Sequence, residues 1–140
     1  DHVLFDVKLA DEQEHRRFTG HPNAVILANL DLVADAARRD GLALWIRTPL
    51  IPRATATGAN LAAIGDLLAS RYADVVERWE LCAFNRACVD KYRSLGRPWE
   101  YEDDPTMRET DVEELKSAAV STGFAADRLV VSGLTTANVA

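Results

Sequence analysis

The sequence has few cysteines and histidines, and it lacks the segments typical of exported or membrane-spanning proteins. Its 140 residues include 2 cysteines and 3 histidines. It contains neither a signal peptide nor a run of about 18 or more apolar residues. These shortages argue against a zinc site, export and a membrane span, and they favour a cytoplasmic protein with reduced thiols. The net charge of −6, with scattered lysines and arginines, argues against a nucleic-acid partner.

Several catalytic signatures are missing as well. The sequence has no Gly-rich phosphate-binding loop, and no Ser-His-Asp or Cys-His arrangement stands in a supporting motif. Cys82 and Cys88, with five residues between them, supply too few thiolates for a cubane iron–sulfur cluster. We therefore expect this chain alone to bind no such cluster.

Short apolar runs that alternate with helical patterns are present instead. They predict strands over residues 3–8, 42–48 and about 78–83, with 128–132 as a short last strand. Strand–helix alternation of this kind is typical of a parallel sheet built from βαβ units, which is an α/β fold. In such sheets ligands bind at the carboxyl ends of the strands.

Turn and cap residues set the expected limits of the elements. Asp11 and Thr57 are expected to cap helices, and Gly41 is expected to end the helix that covers residues 23–39. Thr110-x-x-Glu113 predicts a capping box at the start of the last helix. Pro49 and Pro52 are expected to end all pairing of the second strand.

Charged side chains cluster at the predicted strand ends. Asp6 and Lys8 are two residues apart and therefore point to one face, which we expect to be the barrel interior. Arg47 shares its own strand face with Trp45. Burying unpaired charges is costly, so these groups should pair with each other or with a polar ligand. The residues alone leave open a purely structural Asp–Lys–Arg network.

Four motifs follow one another along roughly residues 1–124. They are Asp6-x-Lys8, Asp11…His15…Thr19-Gly20, Trp45-Ile46-Arg47-x-Pro49-x-Ile51-Pro52 and Asp90-Lys91-Tyr92…Leu95-Gly96. In this order they resemble the glycyl-radical-enzyme activating enzymes, which are radical S-adenosylmethionine (SAM) proteins. The resemblance implies a partial (β/α)6 TIM-like barrel. Since the chain opens inside its first strand, we expect residues 1–140 to form a single domain, the C-terminal half of that barrel.

The resemblance also implies a function and a binding site. In the complete enzyme, a reduced [4Fe–4S] cluster splits SAM, and the 5′-deoxyadenosyl radical takes a hydrogen atom from a glycine of a partner glycyl-radical enzyme. Asp6 would help to hold the methionyl end of SAM. A monovalent cation would also bind at Asp6. Lys8 and Arg47 would bind the carboxylate or ribose side. Asn85, which stands where the family usually has His, would lie near the ribose or adenine.

The family's Cys-x3-Cys-x2-Cys loop is missing from this sequence. The cluster ligands are therefore expected in the absent part of the parent protein. This fragment is then expected to hold no catalytic residue and to be inactive alone.

Other interpretations stay open. The chain could be a non-catalytic SAM- or partner-binding domain or a split subunit. It could also be a different barrel enzyme, such as an aldolase or isomerase, that uses Lys8 as a Schiff-base or acid–base lysine. In the expected half-barrel, residues 3–8 would leave an unpaired strand edge, along which we expect self-association or a displaced strand.

Overall fold

The computed structural model describes residues 1–137. Strands and helices alternate along most of this length. The order is β1 (His2–Asp6), α1 (Glu12–Thr19), α2 (Ala24–Asp40), β2 (Ala43–Leu50), α3 (Gly58–Arg71), β3 (Val76–Ala83), α4 (Val89–Ser94), α5 (Glu109–Val120), a 3-10 turn (Ala126–Arg128) and β4 (Leu129–Ser132). None of the helices in residues 1–137 has the length and apolar content that a membrane crossing requires.

The predicted cap residues set the limits of the first three helices. The Asp11 carboxylate accepts a hydrogen bond from the Glu14 amide at 2.8 Å, at the start of α1. The Thr57 hydroxyl accepts from the Asn60 amide at 3.2 Å, at the start of α3. Helix α2 ends at Gly41, whose φ of 68° is a left-handed conformation that glycine adopts without strain. These predictions are confirmed.

The four strands form one parallel sheet in the order β1-β2-β3-β4. The predicted α/β fold with parallel strands and alternating helices is therefore confirmed, and the expected short last strand is part of the sheet. The register places Asp6 opposite Arg47, and Arg47 opposite Glu80. Cys82 lies opposite Ser132 on the last strand. Charged residues of three strands are thus brought into adjacent positions.

Alternate strand residues face the two sides of the sheet, and the sides differ in burial. One side packs against the helices in the hydrophobic core. Its buried side chains are those of Val7, Leu44, Ile46, Leu50, Trp79 and Leu81. The other side is exposed or half-buried and carries His2, Leu4, Asp6, Trp45, Arg47, Arg78, Glu80 and Cys82. The predicted placement of Asp6 and Arg47 opposite the helix-covered side is correct. Lys8 follows β1 and pairs with Asp6.

The prediction that Pro49 ends the second strand is wrong, because β2 continues through it to Leu50 and pairs Pro49 with Cys82. The Val7 amide donates to the Arg47 carbonyl at 2.9 Å, so Arg47 bonds toward β1. Pro49 lies two residues further along β2, and the N–H that it lacks would point toward β1 as well. Because β1 has already ended at this level of the sheet, no hydrogen bond between the two strands is lost.

The predicted capping box at Thr110 is also wrong. Helix α5 begins at Glu109, with Arg108 at the N-cap position and no side-chain cap hydrogen bond. The Glu109 amide donates instead to the Thr136 carbonyl at 3.1 Å. The carbonyl of Thr136, which is distant in sequence, thus accepts the hydrogen bond of the first helical amide, and α5 begins one residue before Thr110.

Candidate functional site

The first part of the site is an ion pair that follows β1. The Lys8 ammonium lies 3.7 Å from a carboxylate oxygen of Asp6, and about half of each side chain is exposed. An exposed pair of this kind adds little to the stability of a protein, typically between about 0 and 1 kcal/mol. Both charges are therefore accessible to a ligand at little structural cost.

Arg47 lies on the neighbouring strand and contacts β3. Its Nη2 donates to the Cys82 sulfur at 3.5 Å, and its Nε lies 3.4 Å from a carboxylate oxygen of Glu80. That Nε is sealed from solvent, yet it makes no hydrogen bond, because the Glu80 contact has the distance of an ion pair without hydrogen-bond geometry. The hydrogen bond to Cys82 and the negative charges around the guanidinium, those of Glu80 and Asp6 among them, raise the pKa of Arg47 above its ordinary value.

Two buried asparagines hold the loop that carries Lys8. The Asn60 side-chain amide donates to the Lys8 carbonyl at 2.9 Å, and its oxygen accepts from the Ala10 amide at 3.1 Å. The Asn23 side chain donates to the carbonyl of Ala10 at 2.7 Å and to that of Leu9 at 3.2 Å. The starts of helices α2 and α3 thereby fix the backbone directly after β1.

A cavity of about 510 Å³ opens beside Asp6 and Lys8. Its walls include His15 and Thr19 from α1 and the loop at His21. His15 is buried, and its Nδ1 lies 2.7 Å from the His21 carbonyl oxygen. His15 therefore makes a local hydrogen bond to the loop that follows its own helix. The same ring also forms part of the wall beside the two charged residues.

Asn85 lies apart from the other predicted residues. It is exposed, and its side-chain oxygen accepts from the Ala87 amide at 3.0 Å, which is a local turn contact. It lines a second cavity of about 390 Å³ together with aromatic residues that follow β3. These aromatic residues are Phe84, Tyr92, Trp99 and Tyr101. The structure thus groups Asp6 with Lys8, places Arg47 one strand away, and leaves Asn85 in another cavity.

Sequence reasoning missed the partners of Arg47 and the asparagines that support Lys8. Glu80 and Cys82 carried a usable signal, since they are two residues apart and share a strand face near its carboxyl end. Asn23 and Asn60 carried none, because each is a common residue near a helix start and its bonding partners lie far along the chain.

The cysteines do not fit a [4Fe–4S] cluster. Cys82 is half-buried and contacts Arg47, while Cys88 is exposed at the start of α4. Such a cluster is held by thiolates in a number that two residues cannot supply. Within residues 1–137 no three or more His, Cys, Asp or Glu side chains come together as metal ligands would.

The sequence is similar to proteins of known name. It is 31% identical to the pyruvate formate-lyase-activating enzyme of Staphylococcus aureus (strain USA300), over 118 residues that make up 84% of this chain and 43% of that protein. Proteins of the same name from strains NCTC 8325 / PS 47 and COL match to the same extent. This chain is similar to pyruvate formate-lyase-activating enzymes. The predicted resemblance is therefore confirmed, and the chain spans less than half the length of these relatives.

A solved structure agrees on the fold. The crystal structure of a domain of pyruvate-formate lyase-activating enzyme from Bacteroides vulgatus ATCC 8482 superposes with a TM-score of 0.60. The match covers 94% of this chain and 67% of that one, at 22% identity. This likeness is consistent with a partial TIM-like barrel. No protein-family profile matches the chain.

Proposed function

We propose that this chain is the C-terminal part of a radical SAM activating enzyme that generates a glycyl radical on a partner enzyme, and that this part helps to bind SAM. The observation that carries the proposal is the group of accessible charges at the carboxyl ends of β1 and β2, in a chain similar to pyruvate formate-lyase-activating enzymes. Parallel α/β sheets bind ligands at this end of their strands.

The charges of these residues fit SAM. Its methionyl end carries an ammonium and a carboxylate, which need an anionic and a cationic partner. Asp6 and Lys8 supply one of each, and neither is committed to the core. The Arg47 side chain is 40% exposed, and its guanidinium carries further N–H donors that would bind a ligand carboxylate or hydroxyl.

The proposed roles follow from those charges. Asp6 holds the methionyl end, with a monovalent cation beside it. Lys8 and Arg47 bind the carboxylate or the ribose side. Asn85, in the aromatic cavity, contacts the ribose or adenine.

Within the parent enzyme, SAM bound at a reduced cluster supplies the radical that takes hydrogen from the partner's glycine. The residues described here contribute binding and orientation, and the sheet keeps water from one side of the ligand. The cluster ligands belong to a part of the protein outside this chain. A Cys-x3-Cys-x2-Cys motif encoded in frame upstream of Asp1 would support this division, whereas a natural stop and start there would favour a separate, non-catalytic SAM-binding subunit.

A lysine-dependent barrel enzyme receives less support. Schiff-base lysines are activated by an apolar pocket or by a neighbouring cation. Lys8 has instead an anionic neighbour, Asp6, and is half exposed. Borohydride trapping of a carbonyl compound on Lys8 would reverse this preference.

A titration of the chain with SAM, followed by the amide resonances of residues 6–8 and 47, tests the binding role. We expect weak binding that shifts these resonances. The Lys8→Ala variant should lose most of the affinity. Arg16→Ala is the matched control, since Arg16 forms an exposed pair with Glu12 at 3.0 Å away from the site. Equal loss of affinity in both variants, or nanomolar binding by the unaltered chain, would contradict the proposal.

Anaerobic reconstitution with iron and sulfide tests the division of labour. We expect no visible iron–sulfur absorbance from this chain, because Cys82 and Cys88 cannot ligate a cubane cluster in the family manner. A stable chromophore with about four irons per chain would show that the cluster site lies within it.

A further inference from the structure

The two cysteines of the sequence line one cavity, although five residues separate them along the chain. It is the cavity of about 390 Å³ that Asn85 shares with the aromatic residues after β3. Both thiols are free, and Cys82 is half-buried while Cys88 is exposed. Since the 140 residues contain no further cysteine, any thiol chemistry of this chain takes place at this pair.

The contact with Arg47 shows where the sulfur of Cys82 points. Arg47 lies on the side of the sheet without core packing, and its Nη2 donates to this sulfur at 3.5 Å. The Glu80 carboxylate lies on the other edge of the guanidinium, 3.4 Å from its Nε. Reactive cysteines are typically found beside a cationic group in a partly exposed position, because the thiolate is the nucleophile. Cys82 has such surroundings.

Helix α4 turns Cys88 toward the same cavity. Cys88 has helical backbone angles, and the two residues of this segment that line the cavity are Cys88 and Tyr92, one helical turn apart. Val89, Asp90 and Arg93 line a different, polar cavity of about 270 Å³. The helix thus has one face toward each cavity, and Cys88 belongs to the face that meets the end of β3.

A tight turn returns the chain from the end of β3 to this position. The Ala87 amide donates to the Asn85 side-chain oxygen at 3.0 Å, and the Val89 amide donates to the Arg86 carbonyl at 3.1 Å. These local hydrogen bonds reverse the chain directly after the strand. Cys88 is therefore folded back toward the strand end that carries the other thiol.

We infer that Cys82 and Cys88 are a peroxide-sensitive thiol pair, which closes to an intramolecular disulfide. The Cys82 thiolate attacks one peroxide oxygen, so that an S–O bond forms, the O–O bond breaks and hydroxide leaves. The Cys88 thiolate then attacks the sulfenic sulfur, so that the S–S bond forms and a second hydroxide leaves. The two protons of the thiols convert both hydroxides to water. The thiols thus lose two electrons, which the peroxide accepts.

This modification goes beyond the proposed function, since none of its steps involves SAM. It also changes the surroundings of Arg47, because a disulfide sulfur carries no negative charge and is a weaker hydrogen-bond acceptor than a thiolate. The pair therefore connects a peroxide to one of the charged residues on the open side of the sheet.

Peptide mapping after treatment with an equimolar amount of hydrogen peroxide tests the inference. The reduced chain is used at submicromolar concentration, so that contacts between copies are rare. Trypsin cleaves after Arg78, Arg86 and Lys91, which leaves the two cysteines in separate peptides, residues 79–86 and 87–91. We expect a monomer that has lost two hydrogens and these two peptides joined by a reducible link. Unlinked peptides, or a covalent dimer, would overturn the inference.

Two serine variants separate the roles of the thiols. Cys88→Ser should stop the reaction at a sulfenic acid on Cys82, which dimedone traps. Cys82→Ser should consume peroxide more slowly, since Cys88 is left without the contact to Arg47. Equal rates of peroxide consumption in the two variants would overturn the role of Cys82 as the attacking thiol.

A third variant tests the contact with Arg47. Arg47→Gln should slow the formation of the disulfide severalfold, because it removes the positive charge beside Cys82. Arg16→Gln is the matched control, since Arg16 pairs with Glu12 on the exposed surface of α1. Melting temperatures of both variants show whether they are folded. An unchanged rate in folded Arg47→Gln would show that the guanidinium does not activate the thiol, and would overturn this part of the inference.

Discussion

The indole N–H of Trp79 donates to the hydroxyl of Thr48 at 3.0 Å, inside the core between β3 and β2. The same hydroxyl donates to the Val7 carbonyl at 2.7 Å. Thr48 thus links β2, β3 and the residue that follows β1 through one buried oxygen atom. Thr48 faces the core, and its neighbour Arg47 faces the other side of the sheet.

Replacing Thr48 with valine should destabilise the protein. The shape of the side chain is kept, but the Trp79 indole and the Val7 carbonyl lose their partner, and each unsatisfied buried group costs about 1–3 kcal/mol. Chemical denaturation followed by tryptophan fluorescence measures the loss. The exposed Thr110→Val in α5 is the matched control and should change the free energy of unfolding little. Equal stability of the two variants would contradict the importance of this link.

Much of the fold was predictable because its causes are local. Alternating and helical hydrophobic periods identify the strands and helices, and Asp11, Gly41 and Thr57 act as caps through neighbours within a few residues. Strand parity also placed Asp6 and Lys8 on one face. Each of these inferences needs only the residues within a turn or a strand.

The remainder depends on partners that are distant in sequence. Asn60 bonds to Lys8 across 52 positions, and nothing near Asn60 indicates that partner. The start of α5 is set by Thr136, which contacts Glu109 through the backbone and leaves no sequence signature. Arg47 meets Glu80 only through the β2–β3 register. A strand's own pattern sets which face a residue occupies, but it does not set this register.

Gly65 allows α3 and α5 to approach each other closely. A Cβ at this position would overlap the Ala119 carbonyl oxygen and lie 2.7 Å from the Thr122 hydroxyl. Gly65→Ala should therefore force the helices apart and cost about 1–3 kcal/mol of the free energy of unfolding.

The matched control for Gly65→Ala is Gly58→Ala, in the first turn of the same helix. There the nearest atom to an added Cβ is the Ala118 methyl at 3.7 Å, an ordinary contact. This variant should be neutral or slightly more stable, since alanine favours the helix. Similar melting temperatures for both variants would show that the helix contact is less tight than described.

Tyr72 should make stability fall at alkaline pH. Burial, with the hydrogen bond that its hydroxyl donates to Asp31 at 2.7 Å, raises the pKa of Tyr72 from 10.0 to about 12. The neutral phenol is thus favoured in the folded state. Its contribution to stability is complete below pH 10, the pKa of an ordinary tyrosine, and is lost as pH rises toward about 12.

Chemical denaturation at several pH values, from neutrality to about pH 12, measures whether the free energy of unfolding falls on the alkaline side. Tyr72→Phe should lose the Asp31 hydrogen bond at neutral pH and show a smaller further decline on the alkaline side. An equally steep alkaline decline in this variant would assign the effect to other groups.

Strand β1 lies at the edge of the sheet and pairs with β2 alone among the described residues. Its Leu4 is 55% exposed on the side without core packing. A short apolar edge with unpaired backbone groups is a template for pairing with another chain. We therefore expect the 140-residue chain, studied alone at tens of micromolar, to self-associate by light scattering, or to show a displaced first strand.

A charge on this edge should oppose the association, because a lysine at the edge would have to lose its water when strands pair. Leu4→Lys is thus expected to shift the chain toward monomer. Leu32→Lys is the control, since Leu32 is 68% exposed on α2, away from the edge. A strict monomer whose amides 3–8 are strongly protected from exchange would contradict the prediction. It would mean that another element covers this edge, and that the expected half-barrel is wrong.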